Sequence, residues 1–117
     1  MTLAQKQQKF AVLVARLILE AKRLGYAVTF GEAYRSAEEA ARMARTGKGI
    51  KWSLHILRLA VDLNLFIDGV YQKDSAAYEP LGFWWEEQSL PGLTCAWGGD
   101  FKKPDGNHFS VEHEGRR

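Results

Sequence analysis

The sequence predicts an α+β fold, a single domain in which a small antiparallel sheet has helices packed on it. Three observations carry that expectation. Residues 59–67, LAVDLNLFI, alternate with the two-residue period of a strand and lead into Asp68-Gly69, a hairpin-type turn. Phe10, Leu13, Leu17, Ala21 and Leu24 share one face at helical spacing. The stretches follow in the order α-β-α-β-β-α-β, and 117 residues can bury one core without staples.

The first helix ends at Gly25, a residue suited to a C-terminal cap, with Lys6, Lys9 and Lys22 among the polar positions around its apolar stripe. YAVTF, residues 26–30, alternates and is rich in β-formers, which makes it a strand. Ser36 opens SAEEAARMART with capping-box spacing to Glu39, and Gly47 ends that helix. GKGIKW, residues 47–52, is a loop whose glycines fit no phosphate-binding pattern. In the strand that follows, Leu59, Val61, Leu63, Leu65 and Ile67 share one face, and Ala60, Asp62, Asn64 and Phe66 share the other. Val70-Tyr71 begins the return strand, a third helix spans about 76–88, and a turn-rich tail closes on a short strand around His108 to Val111. Phe83, Trp84, Trp85, Trp97, Phe101 and Phe109 are expected mostly in the core, with one of the adjacent Trp84 and Trp85 more exposed.

A net charge of +2 neither argues for nucleic acid nor repels an anionic polymer, and the dispersed basic residues match no nucleic-acid motif, so no such partner is expected. Cys95 is the single cysteine. It excludes an intrachain disulfide and a cysteine-rich zinc site, and reads as a small buried hydrophobe. FAVLVARLIL, residues 10–19, could pass for a signal-peptide core. Arg16 interrupts it, however, no small-residue cleavage site follows, and the run is too short to span a bilayer. The expectation is a protein made and folded in the cytoplasm, without a membrane anchor.

Asp62 lies on the strand face opposite the apolar one, and His55 stands seven residues earlier, near the loop that enters the strand. Converging on one sheet face, the two can bind zinc through nitrogen and oxygen, given a third ligand. A surface hydrogen bond between them is the simpler reading. Of the two remaining histidines, His108 sits in DGNHFS and His113 follows five residues later, close to the terminus. His55, Asp62 and His108 would supply the three protein ligands of a catalytic site that leaves its fourth position to water. Asp105 precedes His108 by three residues. A turn there could hold its carboxylate near that water without making it a ligand, as a general base of hydrolysis requires.

SLHILRLAVDL, residues 53–63, resembles the S-x-H-x(6)-D zinc motif of the peptidases related to D-Ala-D-Ala carboxypeptidases and L-alanyl-D-glutamate endopeptidases. That family includes small phage endolysins that cut bacterial peptidoglycan stems. DGNHF is similar to the second family motif, an acid, two residues, a histidine and usually an aromatic. WGGDF just upstream, and GEAYRS followed by a helix, are similar to the phage branch. The four blocks stand in family order over about residues 25–110.

The resemblance implies roles for individual residues. His55, Asp62 and His108 match the zinc ligands, and Asp105 matches the catalytic acid/base. Arg35 matches the arginine that engages a substrate carboxylate, for which its planar fork is suited. Ser53 matches the serine beside the substrate. Asp100, in the WGGD turn, reads either as a partner of a zinc-bound histidine or as a plain turn acid. Two positions depart from the family. Arg58 stands where relatives often carry glycine, and Ser110 stands where an acid usually follows the aromatic, with Glu112 and His113 as candidates to replace it.

The implied protein is a monomeric zinc metallopeptidase with one Zn2+ per chain, acting on peptidoglycan stem peptides. Residues 1–117 form its single catalytic domain, with no separate cell-wall-binding domain. The preferred activity is the phage-type endopeptidase of the L-Ala-D-Glu bond, held in the host cytoplasm until a separate pore former releases it to the wall. A D-Ala-D-Ala carboxypeptidase is the alternative within the family. A non-catalytic zinc-containing module that binds peptidoglycan is the alternative outside enzymes, and Asp105 beside His108 argues against it.

Overall fold

The computed structural model describes residues 1–49 and 52–117. Of the expected loop 47–52, Ile50 and Lys51 lie outside the described residues. Helix α1 (Leu3–Arg23) begins with a full capping box: the Thr2 hydroxyl accepts from the Gln5 N–H, and the Gln5 side chain accepts from the Thr2 N–H. Phe10, Leu13, Leu17 and Ala21 form its buried stripe, as the spacing predicts, and Leu24 is half-buried beyond its end. In α2 (Ala37–Arg45) the Ser36 hydroxyl accepts from the Glu39 N–H at 3.0 Å. The Glu39 carboxylate turns instead to Arg42, so only half of the expected capping box forms.

The sheet has five strands: β1 (Ala27–Phe30), β2 (Ala60–Ile67), β3 (Val70–Tyr71), β4 (Cys95–Trp97) and β5 (His108–Val111). Their order is β1-β2-β5-β4, every pair is antiparallel, and β3 hairpins onto the far end of β2. With its helices against this sheet, the chain is α+β as its pattern predicts. Along β2, Val61, Leu63 and Leu65 are buried in the core, while Asp62, Asn64 and Phe66 on the other face are only partly covered.

Two elements differ from expectation. The turn-rich tail contains β4, which pairs with β5 through Cys95↔Val111 and Trp97↔Phe109. Three residues between Pro91-Gly92 and Gly98-Gly99 are too few for alternation to register, and long-range pairing makes the strand. The helix expected over 76–88 divides into a 3-10 turn (Ser75–Tyr78) and α3 (Glu79–Glu87). Pro80 has no N–H to donate back toward Ala76, so one continuous helix cannot hydrogen-bond through that point.

The core gathers around Trp85, which is fully buried. Its ring meets Phe10 and Phe109 edge-on, and its indole N–H donates to the Ser110 carbonyl at 3.0 Å. Of the six aromatics expected mostly inside, Trp85, Trp97 and Phe109 are buried, Trp84 and Phe101 are half-buried, and Phe83 is exposed. Cys95 is buried, and burial pushes its thiol up to about 11, which makes it an inert packing residue.

Trp97 lies flat against α3 at Gly82, where an added Cβ would come within 2.1 Å of the indole ring. A glycine costs a helix interior about 1 kcal/mol relative to alanine, and here the ring requires it. Gly82→Ala should therefore destabilise the protein by about 1–3 kcal/mol despite the gain in helix propensity, because a rigid indole cannot yield by that distance. Urea unfolding of both proteins measures this, and equal or greater stability in Gly82→Ala would refute the packing argument.

Candidate metal centre

Three elements bring the site together. Asp62 in β2 is the direct cross-strand partner of His108 in β5, so both side chains leave the sheet on one face. His55 comes from the 3-10 turn Leu54–Leu57 that delivers the chain into β2, and the Ser53 hydroxyl caps that turn by accepting the His55 N–H at 3.2 Å. The turn ends at Arg58, which holds a left-handed φ of 56° and stacks its guanidinium over the Tyr34 ring at 4.1 Å. Glycine adopts that backbone without cost, whereas a residue with a side chain is strained there.

His55 Nε2 and His108 Nδ1 stand 3.4 and 3.6 Å from Asp62 Oδ1, and all three ligand atoms lie within 4.8 Å of one another. Asp62 Oδ1 is buried and accepts no hydrogen bond. The donor set fits a divalent cation: ligands about 2.0–2.1 Å from a tetrahedral zinc sit about 3.3–3.4 Å apart. On its far side His55 Nδ1–H donates to the Ala33 carbonyl at 3.1 Å, which leaves the Nε2 lone pair facing the cluster. Burial works to raise the Asp62 carboxyl, but the His108 and His55 imidazoles beside it win and hold it at about 2. Burial likewise works to lower His55, and the Asp62 carboxylate and Ala33 carbonyl outweigh it, so its pKa is raised.

Asp105 lines the same pocket of about 580 Å³. Its loop is held by several bonds: the Asp105 N–H donates to the Gly98 carbonyl at 2.9 Å, the Trp97 indole N–H donates to the Gly106 carbonyl at 2.7 Å, the Gly106 N–H donates to the Ser75 hydroxyl at 2.9 Å, and the His108 N–H donates to the Asp105 carbonyl at 3.1 Å. Gly98 must be glycine, since a Cβ would fall 2.1 Å from the Asp105 carbonyl oxygen. Partial burial raises the Asp105 carboxyl, the Asp62 charge raises it further, and His108 and His55 pull against them.

Arg35 is buried along the pocket wall, its N–H bonded to the His55 carbonyl at 3.2 Å. Its Nε donates to the Glu32 carboxylate, which leaves the terminal nitrogens of the fork for another anion. The sequence reading did not single out Glu32. The signal available was its place in GEAYRS, three residues before the arginine. Ser53 lines the pocket while capping His55.

Asp100 does not join the centre. It is exposed at the end of a 3-10 turn, its carboxyl lies beside Glu86 on α3, and no hydrogen bond or ion pair links it to a histidine among the described residues. His113 also stands apart, with its Nδ1 3.3 Å from the Lys6 ammonium. Neither His113 nor Glu112 reaches His108 among the described residues. His108 Nε2 and the Ser110 hydroxyl are both buried without a hydrogen-bond partner among the described residues, so neither Glu112 nor His113 stands in as the partner that the sequence resemblance implies.

Residues 46–111, more than half of the chain, match the peptidase family described as D-alanyl-D-alanine carboxypeptidase, of the M15 type. The chain belongs to that family. The crystal structure of the L-Ala D-Glu endopeptidase ChiX from Serratia marcescens matches this M15 peptidase with a TM-score of 0.67 at 28% identity, over 87% of this chain and 79% of that one. No curated protein matches the chain. No helix among the described residues is long and apolar enough to cross a membrane.

The Glu86–Asp100 pair makes a pH-dependent prediction. Burial first, then the neighbouring Asp100 carboxyl, raises Glu86 from its ordinary value near 4.5 to about 7. A raised folded-state pKa means that the stability this group contributes is fully present below 4.5 and is lost as pH rises through about 7. Glu86→Gln should therefore melt close to the wild type at about pH 4 and above it at about pH 8.5. Calorimetric melting at both pH values tests this; a gap that does not change with pH would show that Glu86 is not raised in the folded protein.

Proposed function

We propose that this chain is a zinc-dependent peptidoglycan peptidase that cleaves the L-Ala-D-Glu bond of stem peptides. One observation carries the reading: His55 Nε2 and His108 Nδ1 stand 3.4 and 3.6 Å from Asp62 Oδ1, in a pocket that Asp105 and Arg35 also line. His55, Asp62 and His108 would hold the metal. A zinc ion, when bound, supplies Lewis acidity that polarises the scissile carbonyl and makes water acidic enough to attack near neutral pH.

The chain's own residues do the rest. Asp105 takes the proton of the attacking water and returns it to the departing amine. Its raised pKa helps it to carry that proton between the two steps. The Arg35 fork, aimed by Glu32, pairs with the free carboxylate of the residue beside the scissile bond and fixes the peptide relative to Asp105. The likeness to an L-Ala D-Glu endopeptidase over most of both chains favours that bond. GEAYRS and WGGDF favour the phage-lysin kind of the activity. A D,D-carboxypeptidase is the second reading, favoured by the description of the matched family, and it would release terminal D-Ala instead.

Four expected outcomes follow from these roles. Purified protein should carry one zinc per chain by elemental analysis, His108→Ala should lose it, and His113→Ala should keep it. The reverse pattern would mean that the wrong histidine is assigned. Asp105→Asn should keep its zinc and its melting temperature but lose about 10²–10⁴-fold in peptidoglycan hydrolysis, because an amide cannot shuttle a proton. Mass spectrometry of the released termini identifies the bond, and near-normal hydrolysis by Asp105→Asn would refute the mechanism. Wall binding by the wild type without any new termini would favour a non-catalytic module.

A further inference from the structure

The pocket above the metal centre carries more positive charge than this reaction uses. Three carboxylates line it: Glu32 is paired with Arg35, Asp62 lies beside the two histidines, and Asp105 is the acid that the proposed reaction uses for proton transfer. Arg35 is thus already compensated by Glu32. Lys48, Lys103 and Arg117 line the same pocket. Arg117 is shared between the Glu112 carboxylate at 3.9 Å and the Phe101 ring at 5.2 Å. Neither the Lys48 nor the Lys103 ammonium makes a hydrogen bond or ion pair among the described residues, and both are exposed.

The two lysines flank the centre. Lys48 adjoins Gly49, whose backbone packs against the Arg35 guanidinium so closely that a Cβ there would lie 3.3 Å from Nη1. Lys103 stands two residues before Asp105, on the loop that carries the acid. A divalent ion in the cluster would add to the positive field. A stem peptide whose third residue is lysine would bring an uncompensated ammonium to this pocket, whereas a diamino-dicarboxylic residue brings the same ammonium with a carboxylate beside it, and that carboxylate would meet the unpaired cations.

We propose that Lys103, assisted by Lys48, forms a second anion subsite, selecting stem peptides whose third residue is a diamino-dicarboxylic acid over those with lysine. This rests on the proposed function and deepens it: Arg35 takes the glutamate carboxylate, and Lys103 takes the additional one. An ammonium suits this task because a flexible point charge can follow a carboxylate at the end of a long side chain.

The test uses three N-acetyl peptides of the form L-Ala-γ-D-Glu-X. In the first, X is meso-diaminopimelate; in the second, X is L-Lys; the third repeats the first with the glutamate α-carboxyl amidated. Zinc-loaded wild type should prefer the first over the second by about fivefold or more in kcat/KM, mostly through KM, and the preference should shrink at high salt. Lys103→Gln with Lys48→Gln should bring that ratio near one, Lys103→Arg should retain it, and Lys22→Gln, away from the pocket, should not alter it. Arg35→Lys should instead erase the discrimination between the first and third peptides, which separates the two carboxylates. Calorimetric titration of the first two peptides into Asp105→Asn reads the same preference without turnover. If the wild type cuts neither peptide while the titration still favours the first, the proposed reaction falls and the subsite stands. Equal binding of the two peptides, or a ratio unchanged by the lysine substitutions, would overturn the subsite.

Discussion

The register between β2 and β5 is the constraint on which the site depends. Pairing Asp62 directly with His108 sets carboxylate and imidazole side by side on one face of the sheet. A slip of one residue would move every side chain of β2 to the opposite face and carry Asp62 into the core. Alternate residues prevent the slip. Val61, Leu63 and Leu65 are each nearly fully buried, and burying such a side chain is worth about 1.5–3 kcal/mol. The same strand thus places Asp62 of the candidate metal centre with one set of side chains and holds its position with the other.

Around that strand the other parts attach through the backbone. The Gly31 N–H donates to the Asp62 carbonyl and the Asp62 N–H to the Glu32 carbonyl, both at 2.8 Å, which continues the β1–β2 ladder to the edge of the pocket. Arg35 then binds the His55 carbonyl through its N–H. The arginine and the histidine therefore sit in a fixed relation even though their side chains do not touch. Positioning by main-chain bonds suits a hydrolytic site, where misplacement of an anchor by about 1 Å can cost 10²-fold in rate.

The parts legible in the sequence were those written in local pattern. The stripe of α1, the alternation of β2 and the Asp68-Gly69 turn each follow from spacing, and so does the placement of Asp62 away from the core. That His55 and His108 would meet Asp62 was legible only through the resemblance of two separated motifs, since nothing local says that residue 62 faces residue 108. β4 was missed because three residues hold too little period to read, and its strand character comes from Trp97 packing on Gly82 and pairing with Phe109. Asp100 reads equally well as a turn acid or a histidine partner from its neighbours, and only the tertiary approach of Glu86 decides between them. Glu32 escaped notice because a lone glutamate in a loop looks like any solvated charge until the buried Arg35 is seen against it.

The ligand strands and the loop of Asp105 are fastened by different means. The candidate ligands hang from β2, β5 and a capped turn, whereas the loop is tied by Trp97, Gly98 and Ser75 and meets the cluster at its end, where the His108 N–H donates to the Asp105 carbonyl at 3.1 Å. Lys102, Lys103 and Pro104 lie between the fastening points and belong to none of them, so a lineage can change this stretch of the pocket wall while the candidate centre is inherited intact.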